Sequence, residues 1–359
     1  MSINFQKQTA LDTSIIQSSS QNYSEITERA NLQNKPIQYV LIMGSGRSGT
    51  TWLGQIMNMY QNCIYKYEPF LNSKQTPYTV WKNNLNTDDL EKLRHDFWSL
   101  CRSCHYGVDV PPFPPKSFRT QNKEILHFLY GLGKRVNLSK NLYEWYGSPQ
   151  LAQDTSVLIK DVNFPNHMLP RLQEVLQPHL IALIRNPFGN IASYLKGVEL
   201  SLFGQEYTQQ INRLEQQLTT PEGQHLSQYR QQLKNMSAAQ FAAVCWRFQV
   251  EPLVNFVRSH EKGFLVVYED LCTNPHGQIT EIFDFVGWKV DQAVHDFIDL
   301  STAIAVKNSQ SSKAYYSVYR DPKHSMSKWK TQLTKEQQAE IASIIVDSPL
   351  KNLWSDLPL

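Results

Sequence analysis

The chain has 359 residues, 41% apolar and 19% charged, with 35 basic and 32 acidic side chains and a net charge of +3. This suits a soluble globular protein with one large α/β domain or two modest ones, and so small a net charge argues against nucleic acid or a membrane surface as partner. No apolar stretch approaches the roughly 18 residues of a membrane span, and five cysteines are too few, and odd in number, for a disulfide framework.

Residues 1–35 are rich in Gln, Ser and Asn and lack the basic start and apolar core of a signal peptide, so a flexible tail is expected. The first strand is expected over Ile37–Met43, followed by the loop GSGRSG and a helix over Thr50–Tyr60. Such a junction aims backbone N–H groups and the positive end of a helix dipole at an anion. Three readings of that loop compete. Gly44, Gly46 and Gly49 fit the dinucleotide pattern, with Glu68 following at the distance an acidic ribose ligand would need. Gly44–Thr51 also fits a nucleotide-hydrolysing loop, except that Thr50 stands where the phosphate-bridging lysine belongs. The third reading is Arg47, Ser48, Gly49, Thr50 and Thr51 themselves, a cation and hydroxyls at a helix start.

Further strands are expected over Cys63–Tyr67, Ser156–Lys160, Leu180–Ile184 and Gly263–Tyr268. Their continuous rather than alternating apolar runs suit strands buried on both faces of a parallel sheet. Helical patterns at Asn186–Gly197 and Ala238–Ser259 complete an alternation that implies a doubly wound α/β fold with a mainly parallel sheet. Residues 105–120, with four prolines, read as an extended connection. The Gln-rich stretch 198–236 reads as an exposed helical insertion, either a lid over the cleft or a structural excursion. Cys101 and Cys104 have the C-x-x-C spacing but no second pair answers them, so reduced thiols in a cytoplasmic protein are expected.

A second phosphate receptor is readable after the strand LIALI. Arg185 emerges at its carboxyl end, Pro187 suits a first helical turn, and Ser193 lies two turns along.

At this point the chain resembles a family. RSGTTWL followed by an Arg-x-Pro…Ser segment is similar to the sulfotransferases that use 3′-phosphoadenosine-5′-phosphosulfate (PAPS). Their phosphosulfate loop resembles Gly46–Thr51, and their 3′-phosphate site resembles Arg185 with Ser193. VVYEDL at Val266–Leu271, the helix before it from Trp246 to Phe256, and Ser327-Lys-Trp-Lys330 resemble further family segments in the same order over about 36–345. The resemblance implies a P-loop-like sulfotransferase domain over 36–359, PAPS as co-substrate, no metal, and an acceptor hydroxyl on a small molecule, carbohydrate or carrier-bound group. Arg47 would be the loop cation, as in the carbohydrate-modifying members. The general base is not where cytosolic members carry a histidine: the third strand runs Ile159-Lys160-Asp161-Val162, and His167 lies five residues too far along. CIYKYEPF instead resembles the Tyr-Glu-Pro segment of Golgi-type carbohydrate sulfotransferases, which makes Glu68 the expected base. Arg320 and Lys323, in a late basic and aromatic loop, are expected near the 3′-phosphate. Trp52 reads better as a core residue than as an adenine platform. A P-loop kinase of a small substrate and a non-catalytic nucleotide-binding module are the alternatives.

Overall fold

The computed structural model describes residues 37–72, 95, 97, 99–150, 155–202, 207–303 and 322–359. Five parallel strands, β1 (Tyr39–Met43), β2 (Cys63–Tyr67), β3 (Ser156–Lys160), β4 (His179–Ile184) and β5 (Gly263–Val267), form one sheet in the order β2-β3-β1-β4-β5. β1 is central, with Ile42 in register with Lys160 of β3 on one side and Ile181 of β4 on the other.

The apolar runs are continuous because both faces of the sheet are covered. Val40 and Ile42 pack on one face with Leu158, Leu183 and Val266 beneath helices α1 (Thr50–Met57), α9 (Pro275–Val286) and α10 (Gln292–Ala303). Tyr39, Leu41 and Met43 pack on the other face with Val157, Ile159 and Ala182, against α4 (Leu169–Leu176) and the end of α7 (Ala238–Arg258). Between β2 and β3 lie α2 (Lys123–Gly133) and α3 (Asn137–Gly147), an antiparallel hairpin on the proline-rich connection. After β4 comes α5 (Pro187–Glu199), then α6 (Tyr207–Gln217) and a run of 3-10 turns over Pro221–Asn235. A short helix α8 (Tyr268–Thr273) follows β5, and α11 (Lys335–Ile345) packs on α7 near the carboxyl terminus.

β1, β4 and α5 shift by one or two residues from the expected bounds, and two further elements end early for local reasons. β5 stops at Val267 because Tyr268 opens α8, whose first turn carries Glu269 and Asp270, carboxylates that suit a helix start. α1 ends at Met57, since Asn58–Tyr60 close into turns through the carbonyls of Gly54, Ile56 and Met57. The insertion 198–236 is helical where described, but half of it is 3-10: Pro221 opens the run, and Leu226, Tyr229 and Leu233 bury one edge against α7. The tail 1–35 and Arg320 lie outside the described residues.

Candidate active site

The site lies at the carboxyl edge of the sheet, where the order switches direction around β1. The loop leaves β1 at Gly44 and turns through Arg47, which holds φ 71, and Gly49, which holds φ 100. A side chain at Gly49 would put its Cβ 2.6 Å from the ring of Tyr268, so both backbone and packing require glycine there. At Gly46 no atom of the described residues lies within 4 Å of where a Cβ would be. No side chain caps the N-terminus of α1, whose leading N–H groups are therefore presented to whatever enters the loop. Ser48 is fully buried and closes the loop by donating to the Ser45 carbonyl at 2.7 Å.

The second motif meets the first. Arg47 Nε donates to Ser193 Oγ at 3.2 Å, joining residues 146 positions apart. Asn190, on the same face of α5, donates to Ser45 Oγ at 3.0 Å and to the Gly46 carbonyl at 2.9 Å. Asn186 caps α5, accepting from the N–H groups of Phe188 and Gly189, and Pro187 occupies the first turn.

Arg185 is 8% exposed. Its Nη1 donates to the Arg47 carbonyl at 3.2 Å, its Nη2 to the Ser325 carbonyl at 2.7 Å, and its guanidinium stacks 4.7 Å above the Tyr268 ring. Its buried Nε has no hydrogen-bond partner among the described residues. A buried guanidinium with an idle donor, beside a second arginine and a serine hydroxyl, fits an anion with several acceptor oxygens. Glu269, next to Tyr268, receives the Trp354 indole N–H at 2.8 Å and the Asn186 N–H at 3.2 Å. Burial pushes the Glu269 carboxyl up from its ordinary range, opposed by the Trp354 hydrogen bond. These groups tie the start of α5 to the carboxyl-terminal segment. Lys323 falls in the short helix Pro322–Ser327 that supplies the Ser325 carbonyl.

Glu68 follows β2 directly and holds φ 44, an uncommon conformation for a residue with a side chain. Its N–H donates to the Lys160 carbonyl at 2.7 Å, and its carboxylate accepts from the Lys160 ammonium. The two side chains are 12% and 3% exposed. Because β3 separates β2 from β1, Lys160 stands between Glu68 and the glycine loop after β1. The sequence assigns this lysine no role; its signal is a lone cation at the carboxyl end of SVLIK. Next to it, Asp161 is fully buried and accepts from the N–H groups of Asn163 at 2.7 Å and Phe70 at 3.0 Å. Burial pushes its carboxyl up to about 6 against those hydrogen bonds.

A cleft of about 680 Å³ opens between the start of the loop, the segment after β3, α6 and α7. Carboxamides (Asn163, Asn166, Gln210, Gln217, Gln249) and phenylalanines (Phe70, Phe164, Phe241, Phe248) alternate around it. His167 is on its wall, with Nδ1 3.2 Å from Glu222 Oε2. Trp52 is a core residue, donating to Ser301 Oγ at 3.0 Å and meeting Tyr268 edge-on. Cys101 and Cys104 are buried, and burial pushes the Cys101 thiol up to about 12 and raises that of Cys104, so both are held as neutral thiols. Among the described residues no three His, Cys, Asp or Glu side chains converge as metal ligands would.

Comparison with known proteins agrees with this geometry. A family model described as "Sulfotransferase domain" matches residues 38–352. Carbohydrate sulfotransferase 1 of Mus musculus is 25% identical over 337 residues, spanning 85% of this chain and 75% of that protein, and the Rattus norvegicus protein of the same name is 24% identical. Among solved structures, a sulfotransferase domain from the Synechococcus PCC 7002 olefin synthase is 15% identical with TM-score 0.44, covering 87% of this chain and 94% of its own. A mouse sulfotransferase complexed with PAP is 12% identical with TM-score 0.45, covering 88% and 87%. A model match that takes in all five strands and both the Arg47 and the Arg185 segments is decisive: the chain belongs to the sulfotransferase domain family.

Proposed function

We propose that this chain transfers a sulfuryl group from PAPS to a hydroxyl of a carbohydrate or another polyhydroxylated small or carrier-bound acceptor. The observation that carries the reading is that hydrogen bonds join Arg47 to both Ser193 and Arg185, with a buried Nε on Arg185 that has no hydrogen-bond partner among the described residues. When bound, PAPS supplies an activated sulfuryl group and a phosphate leaving group. Arg47, the loop N–H groups and the uncapped start of α1 hold the 5′ end and neutralise charge that collects on the departing phosphate. Arg185 and Ser193 take the 3′-phosphate and so favour this nucleotide over ATP, because a buried guanidinium left without its anion is costly. Thr50 in place of the bridging lysine argues against a kinase.

Glu68 serves as the general base that removes the acceptor proton. Lys160 fixes its carboxylate and supplies a second cation between that carboxylate and the loop. The cleft supports a polyhydroxylated acceptor: carboxamides pair with hydroxyls as both donor and acceptor, and aromatic faces cover ring C–H surfaces. The catalytic domain spans 36–359, with 198–236 acting as a lid whose Gln210, Arg213 and Gln217 wall the cleft. The five cysteines, none of them in a disulfide, support a reducing, cytoplasmic setting. Calorimetric titration with PAP, PAPS, ATP and NAD tests the reading. PAP and PAPS should bind tightest, and tighter binding of ATP than of the 3′-phosphorylated nucleotides would overturn it.

A further inference from the structure

Helices α2 and α3 carry more apolar surface than their packing uses. Leu126, Leu129 and Tyr143 face inward with Cys104 and Phe113. Beside this inner stripe, α2 presents Ile125, Phe128 and Leu132, 45%, 67% and 36% exposed, at the i, i+3, i+7 spacing of a single helical stripe. α3 does the same with Leu138, Leu142 and Trp145, 77%, 48% and 75% exposed. Val136, in the turn between them, joins the two stripes and is 45% exposed. Seven of the thirteen large apolar side chains standing exposed among the described residues lie on this one hairpin, which makes it a continuous patch rather than scattered surface leucines.

The charge around the patch is mainly positive, Lys123, Lys134, Arg135 and Lys140 against Glu124 and Glu144. Lys134 and Arg135 are exposed at the turn, and Lys140 lies on the flank. The ammoniums of Lys134 and Lys140 sit 5.4 and 5.3 Å over the rings of Tyr130 and Tyr106 and have no acidic partner among the described residues. The acidic side chains are already engaged: Glu124 lies 3.9 Å from Lys123, and Glu144 accepts the Tyr106 N–H at 2.9 Å. Apolar stripes with exposed Trp and Phe, rimmed by cations on flexible stems, match the interface of an anionic bilayer: the stripes enter the acyl boundary and the cations reach headgroup phosphates.

We infer that the α2–α3 hairpin is a docking surface by which this protein sits on an anionic membrane. The net charge of +3 pointed away from membranes, but it averages over the chain, and only the fold gathers the cations around one apolar face. The inference does not depend on the proposed activity.

The test is sedimentation of the full-length protein with phosphatidylcholine vesicles, with and without about a third of anionic phosphatidylglycerol, a composition that makes the surface potential strongly negative. The wild type should pellet with the anionic vesicles at least about ten-fold more strongly than with neutral ones, and the difference should shrink as salt rises. Phe128→Asp with Trp145→Asp should abolish pelleting, with thermal midpoint and PAP binding unchanged. Lys134→Glu with Arg135→Glu should remove only the anionic preference. Should the aspartate pair unfold the protein, Trp145→Ser alone should still weaken binding, and the Trp145 emission should shift to the blue on adding anionic vesicles. Absence of pelleting, equal pelleting of wild type and Trp145→Ser, or a vesicle-independent dimer that light scattering shows to be split by these substitutions would each overturn the inference.

Discussion

Arg185→Lys separates a phosphate receptor from a structural arginine. In the structure Arg185 has three separate jobs: it bonds the carbonyls of Arg47 and Ser325, stacks on Tyr268, and keeps Nε idle. Lysine preserves the charge but not the planar fork, so it cannot hold the Arg47 carbonyl, the Ser325 carbonyl and a phosphate together. Losing one or two charge-assisted hydrogen bonds to a bound 3′-phosphate costs about 2–3 kcal/mol, roughly 30- to 150-fold in affinity. AMP has the 5′-phosphate but no 3′-phosphate, so it reports any damage to the loop made through the Arg47 carbonyl. Calorimetry on wild type and variant should therefore show PAP affinity falling about 100-fold while AMP affinity falls less than about three-fold. Equal losses for PAP and AMP would refute the assignment and leave Arg185 as a brace between the loop and the carboxyl-terminal segment.

Other outcomes follow from single contacts. Glu68→Gln should lower kcat by about 10²–10⁴, the range of a lost general base, with PAP affinity within a few-fold of wild type; labelled-PAPS turnover on a hydroxyl panel reads the first and calorimetry the second. Turnover at the wild-type rate would discard Glu68 as the base. Gly49→Ala forces a side chain into φ 100 and against the Tyr268 ring, and should cost about 2–4 kcal/mol in urea denaturation together with loss of PAP binding. A variant as stable as wild type would show that the loop has another conformation available. Asp161, with its carboxyl raised to about 6 from the ordinary 3.8, binds more protons folded than unfolded between those values. Stability should therefore fall as pH rises through about 4 to 6, by up to about 3 kcal/mol from this group, and Asp161→Asn should flatten that part of the profile. An unchanged slope in Asp161→Asn would assign the pH dependence elsewhere.

Much of this protein could be read from residue order. β2 and β3 have the bounds the sequence implies, since strands buried on both faces are rich in apolar residues, and the one charge inside β2, Lys66, is buried against Asp109. The helix start at Pro187 and the glycine at position 49 are also local: a fixed proline φ and a left-handed turn encode them within a few residues, whereas the arginine that Ser193 meets is Arg47, 146 positions away. Lys160 was visible but uninterpreted, because nothing in the order of residues says that β3 lies between β2 and β1. That strand order alone makes it the partner of Glu68. Contacts across long separations depend on the tertiary structure in the same way: Arg185 Nη2 on the Ser325 carbonyl, Glu269 beneath Trp354, the carboxamides that wall the cleft, and the cations that collect around the α2–α3 face. The sequence by itself determined which segments form strands and where the glycine loop meets a helix start, because backbone geometry and periodicity are short-range. Only the packed chain decided which side chains share a site, because chain closure brings residues more than a hundred positions apart within hydrogen-bond reach.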